Sequence, residues 1–412
     1  MLQHTRTAVA PVEHESVALR DANGRVLARP ILADRDQPPF DRSTRDGYAV
    51  LAAELTSGAA LRVIGTLRAG EEWGGPAIQS GEALEIMTGA PVPAGADCVA
   101  MLEHVVRDRD SLSAQPDRTW KTGENFVPRG AESHAGDVVL PRGRVIGPAE
   151  VAVAATSGCA ELHVFAKPKV AIIATGDELV GIDQQPKAWQ IRNSNSWSLA
   201  ALVNAAGGSP GRLAIARDNL DDLRERVAQG AMWDLLVLSG GVSMGKHDLV
   251  EQVLSECGAE FFFTGVWIQP GKPVVFGRIP KSGIVYHPSR PQEHANWQGE
   301  WTYFFGLPGN PVSTEVCFHL FVAPLLRALV GRADVSPSFV EARLAEDVKG
   351  AGGRTRFLPA QLTSAWDGVS VKLVPWQGSG DVAANARAGC FCVLPAGVET
   401  FRAGDTVRVL LR

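Results

Sequence analysis

The chain has 412 residues, a length that predicts roughly two to three domains, each large enough to bury its own core. A formal charge of −5 with a pI of about 6.0 lacks the basic footprint of a nucleic-acid-binding protein. Hydrophobic and charged fractions of 45% and 21% are ordinary for a soluble globular protein.

Residues 1–20 carry His4, Arg6, Glu13 and Glu15 without an apolar core, so they do not read as a signal peptide. A cytoplasmic protein with no membrane contact is expected. The apolar spacing over 15–29 predicts a helix, followed by an extended segment over 31–40 that Pro38 and Pro39 stiffen. From 49 to 106 short strands recur about every ten residues between Gly and Pro, the spacing of a small all-β module. Residues 121–145 are turn-rich, and 149–157 read as a helix.

From Pro168 the pattern changes. Apolar runs ending at glycine (169–176, 234–241, 304–309) alternate with helical stretches at 196–206, 220–229, 249–257 and 313–329. That is the βαβ rhythm of a parallel sheet. The apolar stretch 316–330 is too short for a membrane span and is interrupted by His319, Pro324 and Arg327, so it reads as a buried helix. Residues 281–302 interrupt the α/β unit with polar and aromatic residues, among them His287, His294, Trp297 and Trp301. Their middle reads as a surface loop, expected to act as a lid or a partner contact. After Gly331 short strands return at 339–345, 356–362, 369–374 and 406–412, predicting a separate β barrel or sandwich.

Six dispersed cysteines form no C-x-x-C pair, and nine dispersed histidines show no zinc spacing. The cysteines read as small core residues of a reducing compartment. The chemistry lies instead in the strand-end loops, because ligands of open α/β sheets bind beyond the carboxyl ends of the strands. Thr175-Gly176-Asp177-Glu178 offers a hydroxyl, a flexible backbone and two acids. Ser239-Gly240-Gly241-Val242-Ser243 offers successive N–H groups suited to a phosphate cradle. Asp46, Glu178, Asp218 and Asp248 sit in loops, and oxygen ligands without His or Cys suit Mg²⁺. Asp46, Asp218 and Asp248 read equally well as turn or N-cap residues. Lys272 stands between two prolines in Pro270-Gly271-Lys272-Pro273, presented from a stiff turn to an oxyanion. Pro308-Gly309-Asn310-Pro311 is preorganised in the same way.

In this order the segments closely resemble the molybdopterin molybdenumtransferases, the MoeA family shared with the E domain of gephyrin. The resemblance runs through residues 38–49 (Pro-Pro-Phe-Asp-Arg-Ser-Thr-Arg-Asp-Gly-Tyr-Ala), 85–97, 175–179, 239–248, 270–273 and 307–313. It implies a multidomain α/β plus β protein: a molybdopterin-binding α/β domain with a parallel-rich sheet (167–330), a β-rich domain (38–121), an extended linker and dimerisation domain (1–37 with 122–166) and a C-terminal β barrel (331–412). It implies Mg²⁺-dependent insertion of molybdate into adenylyl-molybdopterin, with release of AMP. By the resemblance Asp46, Thr88, Glu178, Asp218 and Asp248 are catalytic, and the last three hold the metal. Thr175, Gly176, Ser239, Gly240, Gly241, Ser243, Lys272, Pro308, Gly309, Asn310, Pro311 and Ser313 bind substrate.

A homodimer is implied, in which Asp46 and Thr88 serve the neighbouring subunit. A molybdopterin adenylyltransferase and molybdoenzyme maturation proteins are the expected partners. Gln269 stands where the family commonly has lysine, which makes Arg354, Arg356 and Ser379 candidate replacements in the substrate site. The alternatives are the sister activity, adenylylation of molybdopterin, and a non-catalytic scaffold of the gephyrin kind.

Overall fold

The computed structural model describes residues 11–241, 249–281, 301–350, 352–366 and 368–412. Two compact units are present: Ser16–Asn23 with Arg29–Leu162, and a larger one formed chiefly by Gly24–Ala28 with His163–Arg412.

The smaller unit is built on a six-stranded sheet in the order Cys98–Met101, Gly47–Val50, Glu82–Ile86, Leu61–Leu67, Ser111–Ala114, Val105–Asp108. One face buries Tyr48, Val50, Leu55, Leu61 and Leu112, and the other buries Leu67, Leu84, Ile86 and Val99. Its short strands Ile31–Leu32 and Arg42–Ser43 pair antiparallel with Val138–Leu140 and Phe126–Val127. The helix expected over 15–29 does not form. The chain instead runs as a strand, His14–Ala18, a 3-10 turn, Leu19–Asp21, and a turn at Gly24 with φ +78°. A glycine at positive φ ends helical propagation there. The backbone amides go elsewhere, with Leu19 N donating to Ala160 O and Ala28 N to His163 O, each at 2.9 Å.

In the larger unit a six-stranded sheet has the order Ser209–Arg212, Lys169–Ala174, Leu235–Ser239, Trp301–Leu307, Val275–Pro280, Glu260–Phe263. The first three pairings are parallel and the last two antiparallel, so the sheet is parallel-rich as expected. The central strands are apolar on both faces because both faces are covered. Val170, Ile172, Val237 and Phe305 meet Leu199, Val203, Phe318 and Leu325 on one side. Ala171, Ile173, Leu236, Leu238 and Phe304 meet Leu223, Val227, Val250 and Val253 on the other. Each fully buried Val, Leu, Ile or Phe side chain contributes about 1.5–3 kcal/mol.

Among the described residues one helical stretch, Pro311–Leu329, is long and apolar enough to cross a membrane, with mean hydropathy 1.4; 72% of it is buried inside the protein, where it packs on the sheet. It begins two residues before the expected start, with proline in its first turn after Asn310, where a missing N–H costs nothing. A π turn at Phe318–Val322 precedes Pro324 and loosens the i→i−4 ladder that proline would otherwise break. Residues 281–302, expected as one interruption, end sooner in the fold. Trp301 and Thr302 already belong to the strand Trp301–Leu307, and the buried Thr302 hydroxyl donates to Ala231 O at 2.7 Å. The middle of that segment lies outside the described residues.

Beyond Gly331 five strands close into a barrel. Thr355–Ala365, Gly368–Leu373, Phe339–Leu344, Thr406–Leu411 and Cys390–Leu394 follow one another, and the last pairs back onto the first. Closure leaves this sheet no free edge within the ring. Leu344, Leu358, Val371, Leu394 and Val409 fill its core. The strand Cys390–Leu394 was not expected. It is buried at every residue and so shows no polar alternation. All six cysteines are free, and burial pushes the Cys98 and Cys392 thiols up to about 12, leaving neither as a thiolate nucleophile near neutral pH.

Candidate functional site

Three neighbouring strands, Lys169–Ala174, Leu235–Ser239 and Trp301–Leu307, run parallel and deliver their loops to one sheet edge. The loops are bonded to one another: Thr175 N donates to Ser239 O at 3.0 Å and Gly240 N to Leu307 O at 3.1 Å. Gly240 and Gly241 have φ of +93° and +68°. A Cβ on Gly240 would lie 2.7 Å from Thr175 O, and one on Gly241 would lie 2.6 Å from Thr175 Oγ1. Glycine is required here for conformation and for close approach alike. The Thr175 hydroxyl is buried and has no hydrogen-bond partner among the described residues. A buried hydroxyl left unpaired costs stability, which makes Thr175 a candidate contact for a polar ligand at these loops.

The third loop is held by a residue that the sequence reading passed over. Asn195, at the start of the helix Asn195–Ala205, donates through Nδ2 to Ser239 Oγ at 2.9 Å and to Gly309 O at 2.7 Å. The Asn-Ser-Asn-Ser run at 193–196 was the available signal, but it reads as helix-start chemistry. Asn310 Nδ2 donates to Ser379 Oγ at 2.9 Å, and Val312 N donates to Ser379 O at 3.0 Å. Ser379, from the segment preceding the helix Val382–Arg387, therefore belongs to this loop cluster. Thr314 Oγ1 donates to Pro308 O at 2.6 Å, while Ser313 beside it is buried. Asn195→Ala is expected to lose about 1–3 kcal/mol of stability by leaving these acceptors unpaired. Chemical denaturation of the two proteins measures this loss.

The acids stand one strand end away. Asp177 N donates to Asp218 Oδ2 and Asp218 N to Asp177 Oδ1, both at 3.3 Å, a reciprocal clasp between the two loops. The N-cap role open to Asp218 falls instead to Asn219, whose side chain accepts from Asp222 N. Glu178 lies folded over Gly176, where an added Cβ would meet Glu178 Oε2 at 2.4 Å. Its carboxylate makes no hydrogen bond or ion pair among the described residues. Ser243 and Asp248 lie outside the described residues. Among the described residues no three His, Cys, Asp or Glu side chains gather as a metal site. The oxygen-only donors fit a magnesium ion that takes one or two carboxylates and completes its shell with ligand phosphates and water.

Lys272 and Arg354 meet at one aromatic ring in the same unit, and Arg356 follows Arg354 by two residues. The strand Ile268–Gln269 pairs in parallel with the barrel strand, setting Gln269 opposite Arg356. Arg356 Nε is buried without a partner among the described residues. Lys272 and Arg354 both approach the ring of Trp267. In the smaller unit Asp46 Oδ1 accepts from Thr88 N at 2.7 Å and from Thr88 Oγ1 at 2.8 Å. These two bonds hold the Asp46 carboxyl below the usual carboxylate range, so an anion is maintained on an exposed loop.

The parallel strands with glycine loops gathered at one edge define an α/β domain whose candidate site lies at the strand ends. Compared with known proteins, residues 1–158 match the MoeA N-terminal region (domain I and II), 171–328 the probable molybdopterin binding domain and 341–411 the MoeA C-terminal region (domain IV). The chain is 34% identical over 403 residues to a molybdopterin molybdenumtransferase of Staphylococcus aureus (strain COL), covering 96% of this chain and 90% of that protein. A molybdopterin molybdenumtransferase of Nostoc sp. is 34% identical over 407 residues, with coverages of 96% and 88%. The solved structure of the molybdopterin biosynthesis MoeA protein from Pyrococcus horikosii superimposes with a TM-score of 0.74 at 32% identity, covering 100% of this chain and 97% of that one. The chain belongs to the MoeA family.

Proposed function

We propose that this protein is a molybdopterin molybdenumtransferase, which inserts molybdate into adenylyl-molybdopterin and releases AMP. The observation that carries the reading is the loop cluster at the three parallel strand ends, with its glycine cradle and the orphan Thr175 hydroxyl. Thr175, Gly176, Ser239, Gly240, Gly241 and Ser243 would cradle the phosphates, and Pro308, Gly309, Asn310 and Pro311 would shape the pterin side. Lys272, Ser313, Arg354, Arg356 and Ser379 would face the oxyanion. Magnesium, held by Glu178, Asp218 and Asp248 together with phosphate oxygens, would screen the charge of the breaking phosphoanhydride-like bond.

The residues of the chain orient the pterin phosphate and exclude competing geometries, and the attacking group is molybdate or water. The test is AMP release from adenylyl-molybdopterin and Mg²⁺, followed with and without molybdate. Release that depends on molybdate supports the reading. AMP transfer from ATP to free molybdopterin would instead identify an adenylyltransferase.

The proposal includes a cytoplasmic homodimer that receives its substrate from a molybdopterin adenylyltransferase and hands its product to molybdoenzyme maturation proteins. Within it Asp46 and Thr88 would complete the site of the neighbouring chain. Mixed dimers of Asp46→Asn and Glu178→Gln subunits are then expected to recover part of the activity that each parent lacks. Mixed dimers with no recovery would refute the shared site.

A further inference from the structure

Trp267 is the most exposed ring near the Pro270-Gly271-Lys272-Pro273 turn, at 62% exposure, yet its position is fixed. The parallel pairing sets Ile268 opposite Thr355, and one residue back the same register sets Trp267 beside Arg354. Trp267 Nε1 donates to Gly353 O at 2.5 Å. The Arg354 guanidinium lies 4.9 Å from the ring centroid and Lys272 Nζ lies 5.6 Å from it, both within cation–π reach. Val266 N and Val274 N donate to Lys272 O at 3.0 and 3.1 Å, which closes the lysine turn onto the segment that carries the ring. Neither cation has a carboxylate partner among the described residues. Two like charges on one ring repel each other, and the arrangement is relieved by an anion.

We propose that Trp267 is a positioning residue, whose ring holds Lys272 and Arg354 in place for the tetrahedral oxyanion substrate. It rests on the transferase reading above. Gln269, two residues after the ring, is uncharged, and Arg354, reached across the parallel pairing, supplies a second cation beside Lys272. Oxyanion affinity, more than turnover, then depends on the ring.

The experiment is steady-state AMP release at saturating adenylyl-molybdopterin and Mg²⁺ with molybdate varied, on wild type, Trp267→Ala and Trp267→Phe, alongside their melting temperatures. Losing two exposed cation–π contacts is expected to raise the molybdate KM of Trp267→Ala about 5- to 30-fold, with a much smaller change in kcat. Trp267→Phe keeps an aromatic face and is expected to restore most of the affinity. Three results would overturn the proposal: an unchanged molybdate KM in Trp267→Ala, a rise confined to the KM for the pterin nucleotide, or an equal loss in both variants. Wild type that releases no AMP sinks the transferase reading instead. In that case, titration of inorganic molybdate into the same three proteins by calorimetry still decides the role of Trp267: weaker binding by Trp267→Ala alone supports it, and equal or absent binding in all three overturns it.

Discussion

Glu178→Gln is expected to slow AMP release about 10²- to 10³-fold, the effect of removing one group that stabilises transition-state charge, or about 2.7–4 kcal/mol. The reason is local. The Glu178 carboxylate has no partner among the described residues and is packed over Gly176, the residue that follows Thr175. Gln keeps the shape and removes the charge, so the pterin contacts proposed for the other two loops remain. Binding of adenylyl-molybdopterin is therefore expected to change little, and added Mg²⁺ is expected to rescue the rate poorly. Single-turnover AMP release together with equilibrium binding separates the two quantities. Wild-type release from a folded Glu178→Gln protein would remove this acid from the reaction.

Glu315→Ala is expected to lose about 3–5 kcal/mol of stability, the cost of breaking a buried ion pair from one side. Glu315 is 6% exposed, and its Oε1 accepts from Arg412 Nε at 2.6 Å while Oε2 accepts from Asn385 Nδ2 at 2.5 Å. His319 Nε2, at 3.6 Å, is too distant for a hydrogen bond but adds attraction when protonated. Burial alone would raise the Glu315 carboxyl. His319, Arg412 and Asn385 outweigh burial and hold it below its ordinary value of 4.5. Because the folded-state value is depressed, the stabilisation is fully present above about pH 4.5 and is lost as pH falls through the folded-state value. Denaturant midpoints at neutral and acid pH are expected to separate wild type from Glu315→Ala strongly at neutral pH and to converge under acid conditions. Equal separation at both would contradict the charged pair.

This pair also marks where the sequence stops being readable. A glutamate inside an apolar helix has no visible purpose until its partner arrives, and Arg412 lies 97 residues away. The α/β strands were legible because burial on both faces makes them continuous apolar runs, and their loops because glycine at strand ends has few structural alternatives. The outer strand Ser209–Arg212 (Ser-Pro-Gly-Arg) was not, since its composition is that of a turn and only pairing with Lys169–Ala174 makes it extended. At the site the same division holds. Thr175, the glycines and Pro308–Pro311 announce themselves locally. Asn195 and Trp267 act through partners on other elements: Ser239 and Gly309 for the first, Gly353 and Arg354 for the second. The helix misread over 15–29 has the same origin, because an apolar spacing fitted to a helix was overridden by pairing with a distant strand.

If the strand-end loops carry molybdenum insertion coupled to AMP release, the two events occur in fixed proportion. The most direct measurement is the molybdenum content of the pterin product per AMP released, by mass analysis after the protein is incubated with adenylyl-molybdopterin, Mg²⁺ and molybdate. One molybdenum gained for each AMP is expected, with both lost together in Glu178→Gln. AMP released without molybdenum in the pterin, or molybdenum gained while the adenylyl group stays in place, would contradict that coupling.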